Sequence, residues 1–395
     1  MQEQQSQKYL DKKIKSNPMK KLTTTYGKAI VLAVTLLLIQ ETQAQTTSNS
    51  NDDSNWFDEI TSRVNPYASI RIGAGFDEDG EIGIGNNAPR AGIRFKHALS
   101  PNEGDNFNAI GRVELGFNLV SRDETIEFAV DPGAGIAQVG DAVFSRLGWL
   151  GITYKDFQLT FGKQNSVYYT LGAVEVDKTL AFGGAGIGVW NIADGGVSGT
   201  GRANQVMILK YAKNGLSLGA QAQVRNISEN NESIDTYGFG ANYRIDGFGI
   251  GVGYNKVNDG VEDPLPDQAK EGDESFIVSA SYEKNRFTVA ASYAILNQHQ
   301  QVGDVFYDGT GLEFFGRYKF SKNERWHLGL GYNYLKPKED ENLGDFDTKF
   351  VITELAYRFK KSSYISASSR IDQSKDINGD NRRSSIFGIG IRFDF

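Results

Sequence analysis

The chain carries three histidines, His97, His299 and His327, and no cysteine. A nucleophile with its base, a thiolate metal site and a disulfide scaffold therefore have almost nothing to be built from, and no G-x-S-x-G run stands near any histidine. What the sequence offers instead is guanidinium groups at recurring positions. Arg90, Arg146 and Arg202 each stand early in a segment of alternating apolar and polar residues, with Ala91, Leu147 and Ala203 as their apolar neighbours, and Arg71, Arg94 and Arg112 fall on the polar faces of similar segments. A guanidinium stays protonated and is weakly hydrated. The chemistry this permits is attraction and orientation of charged or dipolar solutes, with no bond made or broken.

The elements that must hold these arginines are strands. Ile386 to Phe395 alternates without a break: Phe387, Ile389, Ile391, Phe393 and Phe395 point one way, and Gly388, Gly390, Arg392 and Asp394 the other. A soluble sandwich would turn that apolar face onto a second sheet, whereas a barrel in lipid turns it outward and keeps a wet lumen. Composition favours the barrel, with 45 Gly, 24 Phe and 18 Tyr against 3 Met and 8 Pro, and a polar mean hydropathy. A helical membrane protein needs apolar runs of about 20 residues, but a transmembrane strand needs only about 10 with every second one apolar.

One continuous apolar run exists, Ala29 to Ile39, preceded by Lys20 and Lys21 and followed by Thr42-Gln43-Ala44. At eleven residues it is too short to span, and it reads as the core of a cleaved signal peptide over 19–44. Residues 1–18 read as an upstream extension and 45–64 as a Ser/Asn/Asp-rich lead-in, leaving 65–395 as the barrel.

From Asn65 onward one unit repeats: strand, tight turn, strand, long polar loop. Strands are expected at 65–76, 89–98, 106–120, 141–154, 156–163, 202–212, 215–226, 232–245, 247–258, 272–284, 286–297, 308–320, 325–337, 346–360, 362–373 and 383–395. Asn214-Gly215 and Asp246-Gly247 mark tight hairpins, because both central turn positions need positive φ. About sixteen strands, with short and long connections taking turns, make an all-β, antiparallel, up-and-down transmembrane barrel wide enough to leave an aqueous channel. Tyrosines such as Tyr243, Tyr282, Tyr293 and Tyr318 fall near the ends of outward runs, as interfacial girdles require.

Four stretches give the chain a family resemblance: Asn86 to His97 (NNAPRAGIRFKH), Phe144 to Gln164, Gly199 to Gln221, and the terminal Gly390, Phe393 and Phe395. In order and spacing they are similar to general diffusion porins of Gram-negative outer membranes. The resemblance implies passive diffusion of small hydrophilic solutes and ions, outer-membrane localisation, no cofactor, homotrimers packed through the first few strands, and a carboxy-terminal signal, Gly390, Phe393 and Phe395, read by the insertion machinery; Ala91, Leu147 and Ala203 are expected outward, and Leu147, Trp149, Leu159 and Phe161 offer the outward apolar surface for the trimer. It also implies that the longest connection, between Lys163 and Arg202, is an in-folded third loop, with Phe182-Gly183-Gly184 resembling the family's F-G-G. Arg90, Arg146 and Arg202 then match a basic ladder, extended by Arg71, Arg94 and Arg112, and Glu175 and Asp177 are the expected facing acids. Two unit charges 7 Å apart in water interact by only about 0.6 kcal/mol, so such charges bias ions while size excludes solutes.

Acidic stretches at 258–274, 338–347 and 372–383 read as solvated external loops that contribute much of the net charge of -7 and lie beside lipid and lipopolysaccharide. Asp376, Asn378, Gly379 and Asp380 lack the distal Glu of a calcium loop, so no metal site is expected, and nothing points to nucleic acid. The rival reading is a substrate-specific channel for phosphate, another anion or an oligosaccharide.

Overall fold

The computed structural model describes residues 63–100, 104, 106–120, 128, 142–190, 192–225, 233–261, 270–302, 305–338, 346–360, 363–382 and 384–395. The expected extension, signal peptide and all but the end of the lead-in lie outside the described residues. Seventeen strands follow in order: β1 (Val64–Asp77), β2 (Ile82–Asn86), β3 (Arg90–Ala98), β4 (Phe107–Phe117), β5 (Val143–Tyr154), β6 (Phe157–Asn165), β7 (Arg202–Lys213), β8 (Leu216–Gln223), β9 (Thr236–Ile245), β10 (Phe248–Val257), β11 (Glu274–Lys284), β12 (Phe287–Val302), β13 (Val305–Phe320), β14 (Trp326–Pro337), β15 (Thr348–Arg358), β16 (Tyr364–Asp372) and β17 (Ile386–Asp394).

Apart from β2 and β3, which do not pair with each other, each strand pairs antiparallel with its sequence neighbour, and β1 pairs with β17 from Ser69↔Asp394 to Asp77↔Ile386, so the sheet closes on itself. On its other side β1 meets two strands. Its second half pairs with β2, through Ile72↔Asn86 to Phe76↔Ile82, and its first half with β3, through Val64↔Phe95 to Ser69↔Arg90. β2 and β3 are thus two pieces of one stave interrupted at residues 87–89, and the barrel has sixteen staves, as the alternation predicts. The sequence reading missed β2 because IGIGN is short and follows an acidic turn. It also ended the long β12–β13 hairpin early, where a register shift between Leu296 and Gln300 breaks the alternation.

The turn chemistry is as expected: Asn214 and Gly215 have φ of 50° and 84°, Asp246 and Gly247 45° and 84°. Large apolar side chains stand exposed around the outside, among them Ile70, Val113, Leu150, Met207, Phe239, Ile250, Phe276, Leu312, Leu330 and Ile389. A belt of that extent is what lipid covers. Aromatic pairs bound it near the short-turn rim, where Phe157–Tyr211, Phe287–Tyr318 and Trp326–Tyr357 lie 5.0, 4.8 and 5.1 Å apart, and near the long-loop rim, where Phe76–Phe387 lie 5.5 Å apart. The apolar clusters that are buried lie inside, between the wall and the connection from β6 to β7.

Candidate functional site

The lumen wall from β1 to β7 is built on guanidinium groups. Arg71 on β1, Arg90 and Arg94 on β3 and Arg112 on β4 share the inward face, because Ser69↔Arg90 and Arg94↔Arg112 are paired. Arg146 arrives differently. A register shift sets Glu114 opposite Leu147 and Leu115 opposite Ser145, so Arg146 is the extra residue of a β-bulge. The bulge also inverts the alternation that follows. Leu147 is buried, and Trp149, expected outward, pairs with Arg112 on the lumen side, while Leu150 and Ile152 take the outer face. A second shift, between Gly162 and Gln164, does the same near Arg202. Ala203, expected outward, is fully buried with Val167, Leu171, Val206 and Ile208.

Among these arginines stands the carboxylate of Glu114. It accepts from Arg146 Nε at 3.0 Å and from Arg112 Nη2 at 2.6 Å, lies 4.0 Å from Arg90 Nε, and accepts from Tyr67 Oη at 2.8 Å. The Tyr67 ring in turn lies under two guanidiniums, Arg94 at 4.3 Å and Arg112 at 5.1 Å. Arg202 pairs with Asp194 and lies 5.0 Å from the Trp190 ring. Arg71, Arg90, Arg146, Lys163 and Arg202 are all within electrostatic reach of a neighbour in this group. Sequence reasoning missed Glu114, although period-2 arithmetic puts it two residues beyond Arg112 on the same face.

The connection from Ser166 to Gly201 folds into the lumen and follows the opposite wall. Val167 N–H donates to Gln221 Oε1 on β8, a π-helical turn at Tyr168–Ala173 packs on β9, β10 and β11, and Asn242 Nδ2 donates to Leu171 O. Further on, Arg317 of β13 donates to Lys178 O and Glu354 of β15 accepts from Leu180 N–H. The chain then doubles back. Asn333 Oδ1 on β14 accepts from Gly184 and Ala185 N–H at 3.2 and 3.1 Å, Glu313 Oε1 on β13 from Gly186 N–H at 2.9 Å, and Gly188 O meets His299 Nε2 on β12 at 2.6 Å. Glu354, Asn333 and Glu313 on the successive staves β15, β14 and β13 thus accept from loop N–H groups that would otherwise be buried unpaired, while His299 Nε2 on β12 donates to a loop carbonyl.

The two expected loop acids part company. Glu175, 1 % exposed, is turned into the wall, where Asn242 Nδ2, Arg244 Nε and Ser281 Oγ donate to it, the first two at 2.9 and 2.7 Å. Burial raises its pKa, but those hydrogen bonds and the Arg244 charge outweigh burial and hold the carboxyl below the ordinary range. It is an anchor and does not face the arginines. Asp177 is exposed and accepts from Tyr169 Oη at 2.6 Å. Tyr169 is within electrostatic reach of Asp177, Arg90 and Arg202.

One residue from outside that loop also reaches it. Phe128, from the segment between β4 and β5, is buried against Phe182 with ring centroids 5.5 Å apart, and its carbonyl accepts from Phe182 N–H at 3.1 Å. Its ring fills the space left by Gly73 and Gly388 on the paired β1 and β17, where an added Cβ would come within 2.6 Å of it at either site. At the carboxy terminus, Phe393 and Phe395 point outward while Gly390 pairs with Gly73, and Phe395 N–H donates to Ala68 O at 3.0 Å. Outside the lumen, Asp376 Oδ1 caps its own loop by accepting from Asn378 and Asp380 N–H, and among the described residues no three metal-ligating side chains converge.

A family model described as Gram-negative porin matches residues 41–394. Among curated proteins, the outer membrane porin protein OmpD of Salmonella typhimurium is 25% identical over 286 residues, covering 66% of this chain and 76% of OmpD. Among solved structures, Salmonella typhi OmpF in complex with daunomycin is similar with a TM-score of 0.64 and 19% identity, over 84% of this chain and 97% of that one. An anion-selective porin from Comamonas acidovorans gives 0.60 and 12%, over 84% and 99%.

Proposed function

Because the chain belongs to the Gram-negative porin family and is an outer-membrane diffusion channel, we propose that its narrowest section lies between the arginine wall and the in-folded loop, and that it favours anions. The wall carries Arg90, Arg146 and Arg202 with Arg71, Arg94 and Arg112 beside them. The single observation that carries the reading is the placement of Glu175: its carboxylate is withdrawn into the wall by Arg244, Asn242 and Ser281. The loop therefore opposes the arginines with Asp177 and with Asp194, the latter already paired to Arg202. Arg71, Arg90, Arg94, Arg112, Arg146, Lys163, Arg202 and, beside Arg71, Arg392 are eight cations against four carboxylates among the described residues there: Glu114 within the wall, Asp394 beside it, and Asp177 and Asp194 on the loop.

Passage is passive, and the protein acts as a channel and not as an enzyme. Trimers would form through the outer face of the first staves, where Leu150, Ile152, Leu159 and Phe161 are the outward side chains, in place of the Leu147 and Trp149 expected from sequence. Insertion machinery, lipid and lipopolysaccharide are the remaining partners. The test is the reversal potential of the purified channel in planar bilayers under a potassium chloride gradient at low salt. The reading expects the sign of anion preference, and cation preference would reject it.

A further inference from the structure

The in-folded loop turns two aromatic rings toward the basic wall. Tyr168 and Val189 are fully buried against the barrel, and the residues that follow them, Tyr169 and Trp190, are partly open. Their rings lie 5.0 Å apart with planes at 54°. Arg202 holds its guanidinium 5.0 Å from the Trp190 ring, and Tyr169 is within electrostatic reach of Arg90 and Arg202. A solute crossing here meets cationic N–H donors on one side and aromatic rings on the other.

Neither feature selects for shape alone. Guanidiniums attract any anion, phosphate and chloride included, and aromatic rings attract any flat apolar surface. Together they favour a solute that has both, a ring with a carboxylate on its edge, which lays its face on Tyr169 and Trp190 while its oxygens reach Arg90, Arg146 or Arg202. We infer that the constriction is a selective passage for planar aromatic carboxylates, recognised by the Tyr169–Trp190 pair together with the arginine wall. This rests on the proposed anion-favouring constriction and names its cargo.

The ring pair sits where the loop is best anchored. Thr200 Oγ1 donates to Val189 O at 3.1 Å, Tyr169 N–H donates to Ser166 Oγ at 2.9 Å, and Tyr168 Oη donates to Ile187 O at 2.9 Å, so both strands of the loop are tied behind the rings. A rigid platform adds no ordering cost when a solute arrives.

The test compares benzoate with cyclohexanecarboxylate, equal in charge and similar in size but without a π face, by reversal potentials under gradients of each sodium salt, with sodium chloride as reference. The wild-type channel should pass benzoate over cyclohexanecarboxylate by about two- to tenfold, the effect expected of one aromatic stacking contact. Trp190→Leu and Tyr169→Leu, made separately, should each bring that ratio toward one, and because the two solutes carry equal charge the ratio is read independently of any change in chloride-to-sodium selectivity that the lost Arg202 and Asp177 contacts cause. A wild-type ratio of one, or a ratio that survives both substitutions, overturns the inference and leaves the anion-favouring constriction standing. Cation preference in sodium chloride would instead mean that the underlying reading has failed. The wild-type comparison stands even if one variant does not assemble.

Discussion

Arg146 Nε meets Glu114 Oε1 at 3.0 Å with both side chains buried, 6 % and 2 % exposed. Because Arg112, Arg90 and Tyr67 converge on the same carboxylate, Glu114 fixes the direction of three guanidiniums at once. Glu114→Gln should loosen them and remove one negative charge. Anion preference in a salt gradient should rise, and resistance to heat should fall by about 1–3 kcal/mol, less than a fully buried pair because Arg90 and Arg112 touch lumen water. An unchanged reversal potential would mean that this cluster lies off the conduction path.

Replacing Arg90, Arg146 and Arg202 together with alanine removes charge and bulk from the wall. Single-channel conductance should rise and selectivity should move toward cations, while lysine at the same positions should shift selectivity much less. The charge effect should shrink between millimolar and molar salt, since the screening length falls from about 30 Å at 0.01 M to about 3 Å at 1 M. The size effect should persist at every salt. Identical reversal potentials for variant and wild type at low salt would contradict the placement.

The clamp on Glu175 gives a pH dependence with a definite sign. Its pKa in the folded protein is depressed, so the carboxylate's contribution to holding the loop is complete above the ordinary carboxyl pKa of about 4.3 and is lost as pH falls through the lower folded value. Open-channel current should be steady at neutral pH and grow noisy only on the acid side of that range. Glu175→Gln should be noisy at every pH, as should Arg244→Ala to a smaller degree. Noise in wild type that begins near neutrality would assign the gating to another group.

Phe128 and the glycines around it predict a packing defect. Gly388→Ala places a methyl group 2.6 Å from the Phe128 ring, which is closer than carbon atoms approach. The ring should be displaced and the Phe182 segment left partly unsupported. Phe128→Ala should cause the same loosening by leaving a cavity, with a stability loss of up to ~3 kcal/mol. Both variants should show faster protease cleavage of the in-folded loop than wild type, and equal cleavage would show that Phe128 does not support it.

Phe395 has two expected roles, in the sheet and as the proposed assembly signal, that one experiment separates. Its side chain is 72 % exposed, while its backbone exchanges both hydrogen bonds with Ala68 of β1, at 3.0 and 3.3 Å. Phe395→Ala keeps the backbone and removes only what the insertion machinery would read, so it should lower the folded fraction in cells and leave refolding into detergent nearly intact. Deletion of Phe395 should impair both. Equal heat-modifiable barrel for Phe395→Ala and wild type in cells would remove the signal role.

The barrel was legible because lipid and water impose a period of two on every stave, and Leu216 to Val224 or Phe248 to Tyr254 read directly as outward and inward faces. The errors cluster where that period breaks. The extra residue at Arg146 reverses the faces of Leu147 and Trp149, and the shift near Gln164 buries Ala203. A bulge has no compositional signature in these segments, so only pairing reveals it. The in-folded loop was legible from its length and from the resemblance of Phe182-Gly183-Gly184 to the family's third loop. Its acids were not, because whether Glu175 faces the lumen or the wall depends on Arg244, Asn242 and Ser281, contributed by strands more than 60 residues away.

Leu180 is held from two directions at once: Asn87 Nδ2, in the break between β2 and β3, donates to its carbonyl at 3.1 Å, and Glu354 on β15 accepts from its N–H. Between those two staves lie β16, β17 and β1, the place where the beginning and end of the barrel meet. The loop's far end therefore has its full set of holds only after the ring has shut. During biogenesis a half-inserted chain would already own a lipid-facing wall, but it would not yet own a gauge for what passes. Sieving by this loop therefore depends on closure of the barrel, and a ring left open would also lose its gauge.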